Sequence, residues 1–131
     1  MIPVHNYTVN LDPTSSTVTI SPPFPEGGVI VTTPLALFTF ALGSEALELG
    51  ATFLTYPMQW FTPPAEPGGA PTPDNPPPDF KVQWYSTNYF AVWDYNSSQN
   101  TTQHTFYIIV QQGPNIYWGD PMIINEPPVS G

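Results

Sequence analysis

Not one cysteine occurs in this chain. Disulfides, thiolate chemistry, blue-copper sites and cysteine-bound structural zinc are therefore excluded. Bases are almost as scarce. Lys81 is the single Lys or Arg against ten acids, for a formal net charge of −9. Charged residues make up 8% of the chain, against roughly 25% in a typical domain. The negative charge thus comes from missing bases, not from a surplus of carboxylates. One cation cannot neutralise a phosphate backbone, which excludes nucleic acid as a partner. Nor can it clamp a transferred phosphoryl group, and an anionic membrane surface would repel the chain.

Helix signals are also missing. Nineteen prolines and nine glycines interrupt 131 residues, and few intervals between them reach helix length. The longest near-apolar stretch, Leu35 to Leu42, is far short of the ~20 residues a membrane helix needs, so no membrane span is expected. Met1-Ile2-Pro3-Val4-His5 has neither the basic nor the apolar region of a secretory leader.

Between the breaks lie runs rich in Val, Ile, Thr, Phe, Tyr and Trp, the residues of strands. Val4 to Leu11 and Thr17 to Ser21 read as a hairpin. Asp12-Pro13-Thr14-Ser15 supplies its turn, with Asp12 able to accept from the backbone ahead of it. Strands follow at Val29 to Thr33, Leu35 to Leu42 and Ala51 to Tyr56, the last running into Met58-Gln59-Trp60-Phe61. Ser44 to Gly50 is the one helix-compatible stretch, capped by Ser44 and long enough for a single turn. Val82 to Tyr85 and Tyr89 to Tyr95 form a second hairpin around Ser86-Thr87-Asn88. His104 to Gln112 is apolar on both faces, which predicts a central strand. Ile116 to Trp118 and Met122 to Asn125 finish the series, separated by Gly119-Asp120-Pro121, a turn or bulge. Asn125 to Pro128 then reads as the stop of an edge strand.

Residues 62–78, TPPAEPGGAPTPDNPPP, hold eight prolines in seventeen positions. That composition excludes a helix or a central strand and favours an extended loop. Each flank is too short to fold readily alone without staples, so the stretch is expected to be a surface loop within one domain, residues 1–131. The expected fold is all-β: a single sandwich, Ig-like or jelly-roll, of eight to ten short strands.

The segments "HTFYIIVQQG" and "IYWGDPMIINEPP", an apolar strand and glycine turn leading to an aromatic strand and a D-P-x-I-x-N close, resemble the C-terminal pattern of small stand-alone bacterial β-sandwich proteins. These are of the AidA and PixA type, the latter an inclusion-body protein. The opening "YTVNLDPTSSTVTISPP" is similar in style to their first hairpin. The resemblance implies a sandwich fold and self-association, and brings no catalytic residues with it.

Candidate sites follow from side-chain chemistry. His5 and His104 are the only histidines, and no triad motif accompanies either; His104 reads as a solvated residue at a strand start. Asp94, Asp120, Asn125 and Glu126 could offer oxygens to calcium or to sugar hydroxyls, but no calcium-loop spacing links them. No spacing marks a glycosidase pair either. Tripeptides at Asn6, Asn96 and Asn100 match the N-glycosylation acceptor pattern. The aromatics say more. Trp60, Trp84, Trp93 and Trp118, with Tyr85, Tyr89, Tyr95, Tyr107 and Tyr117, exceed what one small core hides, and surplus rings mark interfaces or sugar platforms. The expected function is non-catalytic and cofactor-free: self-assembly as a homo-oligomer, or binding of a protein partner, through an aromatic strand face. Its candidate residues are Trp60, Trp84, Tyr89, Trp93, Tyr95, Trp118, Asp94 and Asp120. The alternative is a carbohydrate-binding module that holds a glycan on Trp and Tyr rings, assisted by calcium.

Overall fold

A computed structural model describes residues 2–12, 14, 17–24, 28–62, 72–74, 78–96, 100–119 and 122–125. The described residues form two sheets and one short helix. The strands are β1 (Val4–Asp12), β2 (Thr17–Ser21), β3 (Val29–Val31), β4 (Leu35–Leu42), β5 (Thr52–Thr62), β6 (Thr72–Asp74), β7 (Phe80–Ser86), β8 (Tyr89–Tyr95), β9 (Thr102–Gln112), β10 (Asn115–Gly119) and β11 (Met122–Asn125). Helix α1 (Ser44–Glu48) links β4 to β5. One sheet runs β2-β1-β4-β8-β7; the other runs β3-β11-β9-β5-β6, with β10 also paired to β9. This is the expected all-β sandwich, with two departures. Two pairs, β1 with β4 and β3 with β11, are parallel, so the sheets are mixed. The strand missed from sequence is β6, whose Pro73 stands opposite Phe61. It lies at the end of its sheet, the position where proline's missing donor costs nothing. The rest of the proline-rich stretch up to Pro77 lies outside the described residues.

The alternation read from sequence sorts the first sheet into two faces. Phe38 and Phe40 of β4 are paired with Val92 and Phe90 of β8, and all four are fully buried. Tyr7 of β1 stacks on Phe40 at 5.4 Å, and Phe40 on Phe90 at 5.0 Å. Phe90 then meets the edge of Phe53, in the opposite sheet, at 4.9 Å. In that sheet Phe53, Met58 and Trp60 of β5 lie beside Val110, Ile108 and Phe106 of β9, all buried. Aromatic rings therefore span the space between the layers, and stacked and edge-to-face pairs such as these add about 0.5–1.5 kcal/mol beyond area burial.

β9 is central, as its two apolar faces predict, with β5 on one side and β10 and β11 on the other. The described residues of β10 and β11 pair with it in matching register. Gly119 stands opposite Ile108 and Met122 opposite Thr105, so three steps along one strand match three along the other. Asp120 and Pro121 themselves lie outside the described residues. β11 is not an edge, contrary to the expectation from Asn125 to Pro128: β3 pairs with its far side. A short strand whose Val29 and Val31 are buried was able to take that position.

Two local predictions can be compared directly. Asp12 Oδ1 accepts from the Thr14 amide at 3.0 Å, the turn chemistry expected of it. Helix α1 is not capped by Ser44. Gly43 is its N-cap and offers no side chain; instead Asn10 reaches over from β1, and its Oδ1 accepts from the Ala46 amide at 3.3 Å. A Cβ at position 43 would collide with the Asn10 amide group. The Gly43 amide also donates to the Val9 carbonyl at 2.8 Å, which prevents the backbone from drawing away. Gly43→Ala is therefore expected to destabilise the fold by about 1–3 kcal/mol, the range for overpacking, and chemical denaturation would measure it. An Asn10→Ala background, which vacates the space, should recover part of that loss.

Candidate functional site

β7 is an end strand of its sheet and joins β8 through a tight turn at Thr87 and Asn88. Pairing is regular from Phe80 opposite Asp94 to Gln83 opposite Ala91, then shifts before Ser86 opposite Tyr89. β7 thus has one more residue than its partner, a β-bulge. Trp84 sits in it with φ of 53°, a left-handed conformation that is a genuine outlier for a bulky side chain. Bulges redirect side chains, and this one does so here. Strict alternation would send Trp84 inward, opposite in sense to Gln83. Instead its ring meets Trp93, an outward residue of β8, at 5.9 Å and 60°. Trp93 is fixed in turn: its Nε1 donates to Gln83 Oε1 at 2.7 Å. Tyr85 turns the other way, and its hydroxyl donates to the Phe53 carbonyl at 2.9 Å.

Two tryptophans consequently meet on the outer face of the sheet. Trp84 is 59% exposed, the most of any large apolar side chain described, and Tyr95 is 41% exposed. Trp93 and Tyr89 are half-buried. The outward positions of β4, β7 and β8 carry no carboxylate. Their one charge is Lys81, the register partner of Trp93. In a chain with ten acids, the only Lys or Arg and the most exposed indole among the described residues share one face.

The other predicted residues are placed differently. Trp60 is 6% exposed and packs on Phe80 and Phe106 at 4.7 and 5.1 Å; it is a core residue. Asp94 has no exposed surface. It shares the inward side of β8 with Phe90 and Val92, so it can offer no oxygen to a ligand on the aromatic face. The backbone of Trp118 belongs to β10, opposite Ile109, while its side chain, like Asp120 and Glu126, lies outside the described residues. Asn125 is placed by its backbone alone, opposite Thr102.

Polar groups gather instead at the end of the sandwich where β8 leaves its sheet. Asp79, Asp94 and Asn96 are buried there. The Tyr95 amide donates to the Asp79 carbonyl at 2.6 Å, and the Asn96 amide to the Pro34 carbonyl at 3.1 Å. Asn96 Nδ2 donates to the Val31 carbonyl, tying β8 to β3 of the other sheet. Its side chain is thus committed to the fold, which removes Asn96 as a glycan acceptor.

His104 is not the solvated residue expected from sequence. It is half-buried, with ring contacts to Phe80 at 4.8 Å and Trp60 at 6.5 Å. The Thr102 hydroxyl lies 2.9 Å from His104 Nε2. A hydroxyl on an imidazole is half of a nucleophile–base pair. This one joins residues two apart on one strand, and the aromatic walls make it a contact that fixes the ring. His5 is likewise half-buried, stacked on Phe38 at 4.7 Å.

Burial lowers the pKa of both histidines below 6.5; at His104 the charge of Asp79 opposes the shift in part. Between the lowered pKa and 6.5 the unfolded chain binds more protons than the folded one, so stability falls as pH drops through that window. The melting temperature is expected to be lower at about pH 5 than at about pH 7.5, and a His5→Phe/His104→Phe double variant should flatten the slope.

Among the described residues, no group of three or more His, Cys, Asp or Glu is arranged to hold a metal ion. No helix there is long and apolar enough to cross a membrane. Searched against the sequence profiles of known protein families, the chain matches none, and no curated protein matches it either.

Proposed function

We propose that this chain is a non-catalytic binding protein that uses the outer face of β7 and β8 to hold a protein partner, foremost a second copy of itself. The observation that carries this reading is Trp84: a large apolar ring, 59% exposed, kept on the surface by a backbone conformation that a tryptophan adopts only at a cost of about 1–2 kcal/mol. A fold that needed only a core has no use for such a residue. Strained backbone positions persist only where the surrounding structure over-determines them, and they cluster at active sites and ligand clamps.

Three of the four end strands favour contact through the face over strand-to-strand addition. β7 carries Lys81 and a bulge, β6 carries Pro73, and β3 has three residues. Each is a recognised obstacle to edge pairing. A face free of carboxylates is also where two molecules of net charge −9 repel each other least. Self-association of this kind accords with the resemblance of the C-terminal pattern to the AidA and PixA type.

Sedimentation velocity over a range of concentrations tests the reading. Reversible association that weakens in Trp84→Ala supports it; a strict monomer at high concentration overturns it. A glycan array read alongside tryptophan fluorescence separates the carbohydrate alternative, in which sugar, not protein, would quench the exposed indole.

A further inference from the structure

Trp84 and Trp93 meet edge to face at 60°, with ring centroids 5.9 Å apart, on the outer face of the sheet. Trp93 Nε1 is already engaged with Gln83, whereas the Trp84 indole N–H has no partner among the described residues. The pair therefore presents apolar ring surface, one donor, and the positive charge of Lys81, the register partner of Trp93. Those are the requirements of a proline-rich ligand. Prolines bias a chain toward an extended helix with no internal hydrogen bonds, so its carbonyls are available as acceptors. Aromatic-lined grooves bind such segments by packing prolyl rings against indoles.

The chain itself contains a segment of that chemistry. Residues 63–71, PPAEPGGAP, carry four prolines and one acid, Glu66. They connect β5 to β6, at the end of the other sheet, and lie outside the described residues. We propose that the exposed Trp84–Trp93 pair is a binding site for a proline-rich, acid-bearing segment, and that its occupant is residues 63–71 of a second copy. Glu66 supplies the charge that complements Lys81. This inference rests on the self-association proposed above and names what the aromatic face holds. The contact is heterologous, since one molecule's tryptophan pair takes another molecule's proline-rich segment, and such contacts build rings or open chains.

The probe is a synthetic peptide spanning residues 62–72, titrated into the intact protein and followed by tryptophan fluorescence and by the indole N–H signals. Saturable binding is expected, about tenfold weaker in Trp84→Ala, equivalent to about 1.4 kcal/mol. Trp84→Gly, which suits the left-handed backbone, should show the same loss and guards against misfolding of the alanine variant. A peptide with every proline replaced by serine should not bind. Replacing Glu66 by glutamine in the peptide should weaken binding and reduce its salt dependence. Absence of saturation, or equal binding of the serine peptide, overturns the inference. The full chain with Pro63, Pro64 and Pro67 replaced by serine separates it from the broader reading. If that variant still associates through Trp84, only the proline ligand is lost. If the unaltered chain never associates, the broader reading fails.

Discussion

Truncating Phe90 to alanine is expected to cost about 3–5 kcal/mol, the usual range for deleting a fully buried aromatic ring. Small domains are stable by only about 5–15 kcal/mol, so the variant should be partly unfolded near body temperature. The reason is position. Phe90 has no exposed surface, stacks on Phe40 within its own sheet and meets the edge of Phe53 across the core. Its loss opens a cavity between two layers that are each held by their own hydrogen bonds and cannot simply collapse together. Urea unfolding measures the change. Trypsin provides an independent readout, because Lys81 is the one site at which it can cut and lies in a paired strand. Cleavage of Phe90→Ala under native conditions should be much faster than that of the unaltered chain. Ile116→Ala, at a residue 49% exposed, should change stability by no more than about 0.5 kcal/mol.

The second large effect is on association, not on folding. Trp84→Ala is expected to weaken self-association by at least about 2 kcal/mol, the level expected of a tryptophan hot spot and roughly a thirtyfold change in dissociation constant. Folding stability should fall by less. The substitution forfeits the ring contact with Trp93, worth about 0.5–1.5 kcal/mol. Trp84→Gly forfeits the same contact but also releases the left-handed strain, about 1–2 kcal/mol. The glycine variant is therefore expected to be as stable as the parent, or more so, while failing to associate. Sedimentation and urea unfolding on the same samples make the comparison. If both properties fell together, Trp84 would be a structural residue and the aromatic face would lose its claim to function.

Much of the fold could be read from residue type and spacing. Turn chemistry at Asp12 and alternation along β1, β4 and β9 located strands correctly because those signals are local. The candidate site was half legible. Parity alone assigns Asp94 to the interior, since it stands two residues from Val92 and four from Phe90. Its charge invited a surface role that the alternation contradicts. Trp60 has the same explanation, sharing a side with Met58. Trp84 is the opposite case. Its outward ring depends on a bulge, and a single extra residue in a strand leaves no mark on composition. Strand β6 escaped notice because proline excludes a central strand but permits an edge. The capping of α1 by Asn10 depends on β1 running beside Gly43, a relation between distant segments that no window of sequence contains.

The pairing of β3 with β11 also bears on how the molecule is made. Val29 to Val31 find their partner strand near residue 123, so the two are joined only after most of the chain exists. Long-range pairing of this kind slows folding. During synthesis, three early residues with two buried valines must wait for the ribosome to release a strand more than ninety positions later. Until then the second layer has no closing member, and a chain stalled or cut before Met122 would expose that vacancy to chaperones and to neighbouring nascent chains.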